Sequence, residues 1–210
     1  MKAKEVPDEA AEKFLDRDFN QCFTQMRHYD GQILDIVKFT FTTYTAILGI
    51  TIGLYQFSTK EDVNLIPVGT AITLVGFLFG VVMTTLIVRN RVYFVVVARY
   101  INEHRRLFLQ KKPFGFENVV GMYTSTSNPQ YFNWRSSQSL FLYIVVLLNS
   151  IMLLAVLFPY CWLPFSIGAG LLSIVVHLAA AISYLNTRDQ KTADKAVFGR
   201  EKPTEIELPR

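Results

Sequence analysis

Four apolar stretches, Phe39 to Phe57, Leu65 to Val88, Leu140 to Phe158 and Leu163 to Leu185, each run for about 19 to 24 residues. An α-helix of that length crosses the hydrocarbon core of a bilayer. None of the four contains Asp, Glu, Lys or Arg; Asp35 and Lys38 lie just before the first. The pattern predicts an all-α, polytopic membrane protein with four transmembrane helices in two hairpins. At 51% hydrophobic residues, a chain of 210 is too apolar for an ordinary soluble domain. The first thirty residues carry Glu5, Asp8, Glu9, Glu12, Asp16, Asp18 and Asp30 with no apolar core segment. They do not read as a secretory signal, and no cleavage is expected.

Lys and Arg placement predicts orientation, because positive juxtamembrane segments stay on the cytoplasmic side. Arg27 and Lys38 precede the first span, Arg89, Arg91, Arg99, Arg105 and Arg106 follow the second, and Arg188 and Lys191 follow the fourth, whereas the two outer turns hold only Lys60. Both termini and the middle segment are therefore expected in the cytoplasm of a cell whose inner membrane holds the protein. The formal charge of +4 then reflects topology and contact with anionic lipid rather than nucleic acid. Cys22 and Cys161 fall on opposite sides of the membrane and cannot pair within one chain. With no second ligand at metal spacing, neither a metal nor a cofactor is expected.

The predicted organisation is an N-terminal tail 1–7, an arm–span–span–arm unit 8–112, a middle segment 113–139, a second hairpin 140–186 and a tail 187–210. Before span one, Leu15, Phe19, Cys22, Met26, Tyr29 and Ile33 recur at spacings of three and four, the seam of a packed helix. After span two, Phe94, Val97, Ile101, His104 and Phe108 repeat that spacing until Lys111-Lys112-Pro113 stops the helix. Each arm with its span predicts a helix roughly 70 to 75 Å long at 1.5 Å per residue, with Gly31 the expected break in the first.

Close approach through small residues stabilises helix pairs in lipid. Span one carries Thr42, Ala46, Gly49 and Gly53, and span two carries Gly69, Thr73, Gly76 and Gly80. Folding the chain antiparallel about Glu61 sets Gly53 on Gly69, Gly49 on Thr73, Ala46 on Gly76 and Thr42 on Gly80. It also sets Tyr29 on Tyr93 and Leu15 on Leu107. Intrachain packing is the ordinary reading of these stripes; an oligomer seam or a pore lining is the functional one. Thr40, Thr43 and Thr51 are expected to bond back to their own helix carbonyls.

In the second hairpin Asn149 and His177 reach the same depth, so a mutual hydrogen bond is expected of these two deep polar groups. A structural clamp with neutral His is the plain reading; a proton relay or pore constriction is the alternative. The absence of a membrane carboxylate argues against proton-coupled transport. The middle segment, with Phe114, Phe116, Tyr123, Tyr131, Phe132 and Trp134, is expected to lie along the inner interface or against the arms. The tail from Thr187 is polar and expected to be mobile.

Catalytic candidates are confined to Arg99 and His104, whose R-x4-H spacing resembles that of HEPN ribonucleases; a solvated basic face is the plain alternative. The arm–span–span–arm layout of residues 8–112 resembles the two-transmembrane SLATT effector modules of bacterial anti-phage and nucleotide-signalling systems. The resemblance rests on Phe19-Asn-Gln-Cys-Phe-Thr-Gln-Met-Arg-His-Tyr29 leading into span one and on Arg89-Asn-Arg-Val-Tyr93 leading out of span two. It implies a homo-oligomer in the lipid bilayer that perturbs or permeabilises the inner membrane, with a possible cytoplasmic protein partner. A non-conducting scaffold and, more remotely, a membrane-attached ribonuclease are the alternative functions.

Overall fold

The computed structural model describes residues 8–110, 112, 115–119, 121 and 123–193; the expected N-terminal tail, Lys111, Pro113, Phe114 and the tail beyond residue 193 lie outside the described residues. Four helices follow in order: α1 Asp8–Lys60, α2 Ile66–Gln110, α3 Ser137–Leu157 and α4 Leu163–Ala193. All four are long and apolar enough to cross a membrane, which marks a multi-pass membrane protein.

At 53 residues α1 is roughly 80 Å long. It does not break at Gly31. A glycine inside a helix costs about 1 kcal/mol relative to alanine but leaves the backbone ladder intact, and Ile33, fully buried two residues on, ties that stretch to the core. The arm seam continues into the span without a change of phase: Ile33, Val37, Thr40, Tyr44, Ile47, Thr51 and Leu54 are buried or half-buried at spacings of three and four. Against this seam α2 runs antiparallel. Tyr29 stacks on Tyr93 with ring centroids 5.7 Å apart. Phe39 and Tyr44 both set edges against Phe79.

The two small-residue stripes do not meet. On α2, Gly69, Thr73, Gly76 and Gly80 are buried, whereas Thr42, Ala46, Gly49 and Gly53 of α1 are exposed on its outer face. Nothing lies within 4 Å of a Cβ built on Gly49 or Gly53. The larger seam residues of α1 fill the grooves over the α2 glycines instead: a Cβ on Gly69 would meet Thr51 Cγ2 at 3.3 Å, and one on Gly76 would meet Ile47 Cδ1 at 3.0 Å. Small against large fills volume at close packing, where small against small leaves a gap unless the backbones touch.

Pro67 sits in the first turn of α2, where its missing N–H is no loss. Ser136 caps α3 by accepting the Ser139 N–H. α2 and α3 form the central pair of the bundle, with α1 and α4 flanking them on opposite sides. α4 runs past the predicted end of its span as far as Ala193, so the first residues of the expected mobile tail are helical. The apolar core is densest where the spans meet the arms, around Ile87, Val95, Leu142, Val145 and Leu185.

Candidate functional site

Inside the membrane-spanning bundle, one polar chain links three helices and touches the fourth. The Tyr44 hydroxyl of α1 donates to Asn149 Oδ1 of α3 at 2.9 Å. Asn149 Nδ2 lies 3.4 Å from His177 Nε2 of α4, and His177 Nδ1 lies 2.8 Å from the Ser173 carbonyl. A carbonyl only accepts, so Nδ1 carries the proton and Nε2 is left to accept from the Asn149 amide. Every link then runs one way, from Tyr44 through Asn149 and His177 to the Ser173 carbonyl.

α2 contributes space. A Cβ on Gly80 would stand 1.8 Å from Tyr44 Oη and 2.2 Å from Asn149 Oδ1. Only glycine leaves room for the hydrogen bond. Asn149 is completely buried, and the Phe77 ring stands edge-on to His177 with centroids 6.2 Å apart. The Asn149–His177 contact anticipated from their depth is thus the middle of a longer chain. Tyr44 and Gly80 complete it; the three-and-four count continued from Ile33 would have reached Tyr44.

A second polar tier lies at the base of the arms. Three residues on one face of α2 hold the backbone of the segment before α3. Arg91 Nε and Nη2 donate to the carbonyls of Tyr131 and Gln130 at 2.9 and 2.6 Å. Arg99 Nε donates to the Pro129 carbonyl at 3.1 Å, and Asn102 Nδ2 donates to the Ser125 and Asn128 carbonyls at 3.0 and 2.8 Å. Arg91 also donates to Gln138 Oε1 of α3, whose amide donates on to Asp30 of α1. Burial, reinforced by the Arg99 charge, pulls the Arg91 guanidinium down to about 10, which leaves it protonated at neutral pH. Arg99 in turn pairs with Asp189 of α4 at 2.7 Å and lies over the Tyr131 ring. This tier joins all four helices. It holds Tyr131 against α2 almost fully buried, while Phe116, Tyr123 and Trp134 of the same segment stay exposed.

Arg99 and His104 do not converge. Five residues apart on a helix, they diverge by roughly 140°. Arg99 serves the second tier, whereas His104 faces α1, with Nε2 3.8 Å from Asp18 Oδ2 and its ring 4.3 Å from that of Tyr100. The Tyr100 hydroxyl donates to the same Asp18 carboxylate at 2.6 Å. Burial and the Asp18 charge raise the Cys22 thiol beside this cluster. Of the threonines, Thr40 bonds back to the Ile36 carbonyl, but buried Thr51 Oγ1 has no such partner. Among the described residues no three His, Cys, Asp or Glu side chains gather as a metal site.

The chemistry these two tiers offer is that of helix positioning: fixed donors and acceptors at two depths, with the Ser173 hydroxyl 3.2 Å from His177 Nδ1 on the same helix. No family model, curated protein or solved structure matches the chain.

Proposed function

We propose that the chain is the protomer of an oligomeric bacterial inner-membrane effector. Both termini and the middle segment face the cytoplasm, and the paired arms receive a signal that the spans turn into membrane perturbation. The observation that carries this reading is the single unbroken seam of α1, from Cys22 in the arm to Leu54 in the span, which makes arm and span one mechanical piece. The outer face of α1, with Thr42, Ala46, Gly49 and Gly53 exposed, suits close contact with a neighbouring copy. The cavity among Thr51, Gly69, Thr70 and Ala155 within one protomer measures only about 30 Å³, room for about one water. We place the conductive path between copies, along the exposed small-residue face of α1.

Purified protein in dye-loaded liposomes tests this. Assembly with dye or ion leakage under an activating condition supports the effector; protein that stays monomeric in tight vesicles under every condition removes it. A non-conducting scaffold is the second reading, favoured by exposed Phe14 and Phe108 at the free ends of the arms. Induced expression that leaves the membrane potential unchanged while a soluble partner co-purifies would select it.

A further inference from the structure

Two arginine-tyrosine pairs stand where the second and fourth spans end. On α2, Arg89 Nη2 donates to the Tyr93 hydroxyl at 3.4 Å. On α4, Arg188 Nη2 donates to the Tyr184 hydroxyl at 3.1 Å, with the guanidinium carbon 5.2 Å from the ring centroid. Register brings the two pairs together. Phe77 meets His177, a hundred residues on, and Arg99 meets Asp189, ninety residues on. At the height between these contacts the offset of the parallel helices is about 95 residues, so Arg89 is level with Tyr184 and Tyr93 with Arg188. The Tyr93 hydroxyl, and to a lesser extent that of Tyr184, raises the Arg89 guanidinium above its ordinary value, in keeping with that proximity.

All four side chains are exposed. Each tyrosine oxygen accepts from an arginine, and among the described residues neither hydroxyl has an acceptor for its own proton. Acidic residues do not balance the site: α2 has no Asp or Glu from Ile66 to Asn102, and α4 none from Leu163 to Arg188. Asp189 pairs with Arg99 at 2.7 Å, Asp30 of α1 accepts from Gln138, and Asp35 lies 3.8 Å from Lys38. On the same face of α2 as Arg89, at spacings of three and four towards the membrane interior, Leu86, Val82 and Leu78 are exposed. N–H and O–H donors thus stand at the edge of the hydrocarbon, above an apolar track that enters it. A free anion would use the donors alone, whereas a lipid with a phosphate headgroup uses both.

We propose that Arg89, Tyr93, Tyr184 and Arg188 hold the phosphate of an anionic phospholipid in the leaflet where α2 and α4 leave the bilayer, with an acyl chain along Leu78, Val82 and Leu86. The site requires the spans and does not depend on the effector reading above.

Native mass spectrometry of the full-length protein in neutral detergent, titrated with phosphatidylglycerol or phosphatidylcholine, reads bound lipid directly. One phosphatidylglycerol is expected to bind about tenfold tighter than phosphatidylcholine and to resist displacement by excess inorganic phosphate. Arg89→Gln should weaken that binding about tenfold, the loss of one charge-assisted contact. Tyr93→Phe/Tyr184→Phe keeps both charges and both rings and should weaken it about threefold through the lost O–H donors. Arg135→Gln removes an equal charge from an exposed residue just before α3 and should leave binding unchanged. Circular dichroism confirms that each variant keeps its helices. Equal losses in Arg89→Gln and Arg135→Gln would show a diffuse basic rim and overturn the site. Displacement by inorganic phosphate overturns a lipid as its occupant. A wild type that holds the two lipids alike also overturns the site, and leaves the effector reading to stand or fall on liposome leakage alone.

Discussion

Gly80 of α2 and Asn149 of α3 are so close that a methyl group on the glycine would stand 2.2 Å from the asparagine Oδ1. The tightest point of the bundle therefore coincides with its deepest polar contact. Gly80→Ala is expected to push Tyr44 and Asn149 apart and to destabilise the fold by about 1–3 kcal/mol, the usual range for overpacking. Gly53→Ala, with nothing within 4 Å, is expected to leave the packing intact and to raise protomer stability by up to about 1 kcal/mol through helix propensity. Thermal unfolding of both variants in the same detergent checks the contrast.

The polar chain predicts coupling between α1 and α3. Tyr44→Phe removes a donor and Asn149→Leu removes both an acceptor and a donor, so the double variant should cost less than the two singles together. A coupling of about 0.6 to 1.7 kcal/mol is expected, the range of interhelical hydrogen bonds in membranes. A double-mutant cycle by unfolding in bicelles measures it, and strict additivity would show that the 2.9 Å contact contributes nothing.

At the base of the arms, Arg99→Ala removes the link to Asp189 and to the Pro129 carbonyl together. It leaves a carboxylate and a carbonyl without their donor, at a cost of about 1–3 kcal/mol. The segment from Ser125 to Tyr131 should then be cut faster by a soluble protease, by about tenfold for the population released. Asp189→Asn keeps the carbonyl contact and should show a smaller increase.

Tyr100 sets an alkaline limit on the arm pair. Burial first, then its hydrogen bond to Asp18, pushes the Tyr100 hydroxyl up to about 12 from an ordinary value near 10. Between those values the folded arm binds a proton that the unfolded chain has released, so stability falls as pH rises from about 10 to about 12. Below 10 this contribution is constant. In difference absorbance of phenolate, Tyr100→Phe should remove a late titration step together with its share of the alkaline stability loss.

The four spans are legible from Phe39 to Leu185 because hydrocarbon tolerates so few residue types that length and composition suffice. Asn149 and His177 are legible for the same reason, as polar groups at one depth where each needs a partner. The α1 contact face is less so: small residues drew attention to Thr42 and Gly49, whereas the packed face follows the seam that begins at Cys22 and passes through Thr40 and Tyr44. Tyr44 resembles any interfacial aromatic until tertiary structure brings a carboxamide to its hydroxyl. Arg91 and Arg99 read as topology markers because their acceptors are mostly main-chain carbonyls, which have no residue signature. Asp189 lay in a stretch too polar to suggest order; its pairing with Arg99 depends on α4 running parallel to α2 beyond the apolar span.

The uninterrupted α1 also acts as a ruler. From Lys38 to its first turn it holds the arm tip on the order of 40 Å from the end of the apolar span, several times the screening length of about 8 Å in physiological salt. Headgroup charge fades well short of that distance. Glu12, Asp16 and Arg106 stand where lipid headgroups do not set the electrical environment, so changes in lipid composition should alter the spans and leave the arm tips untouched.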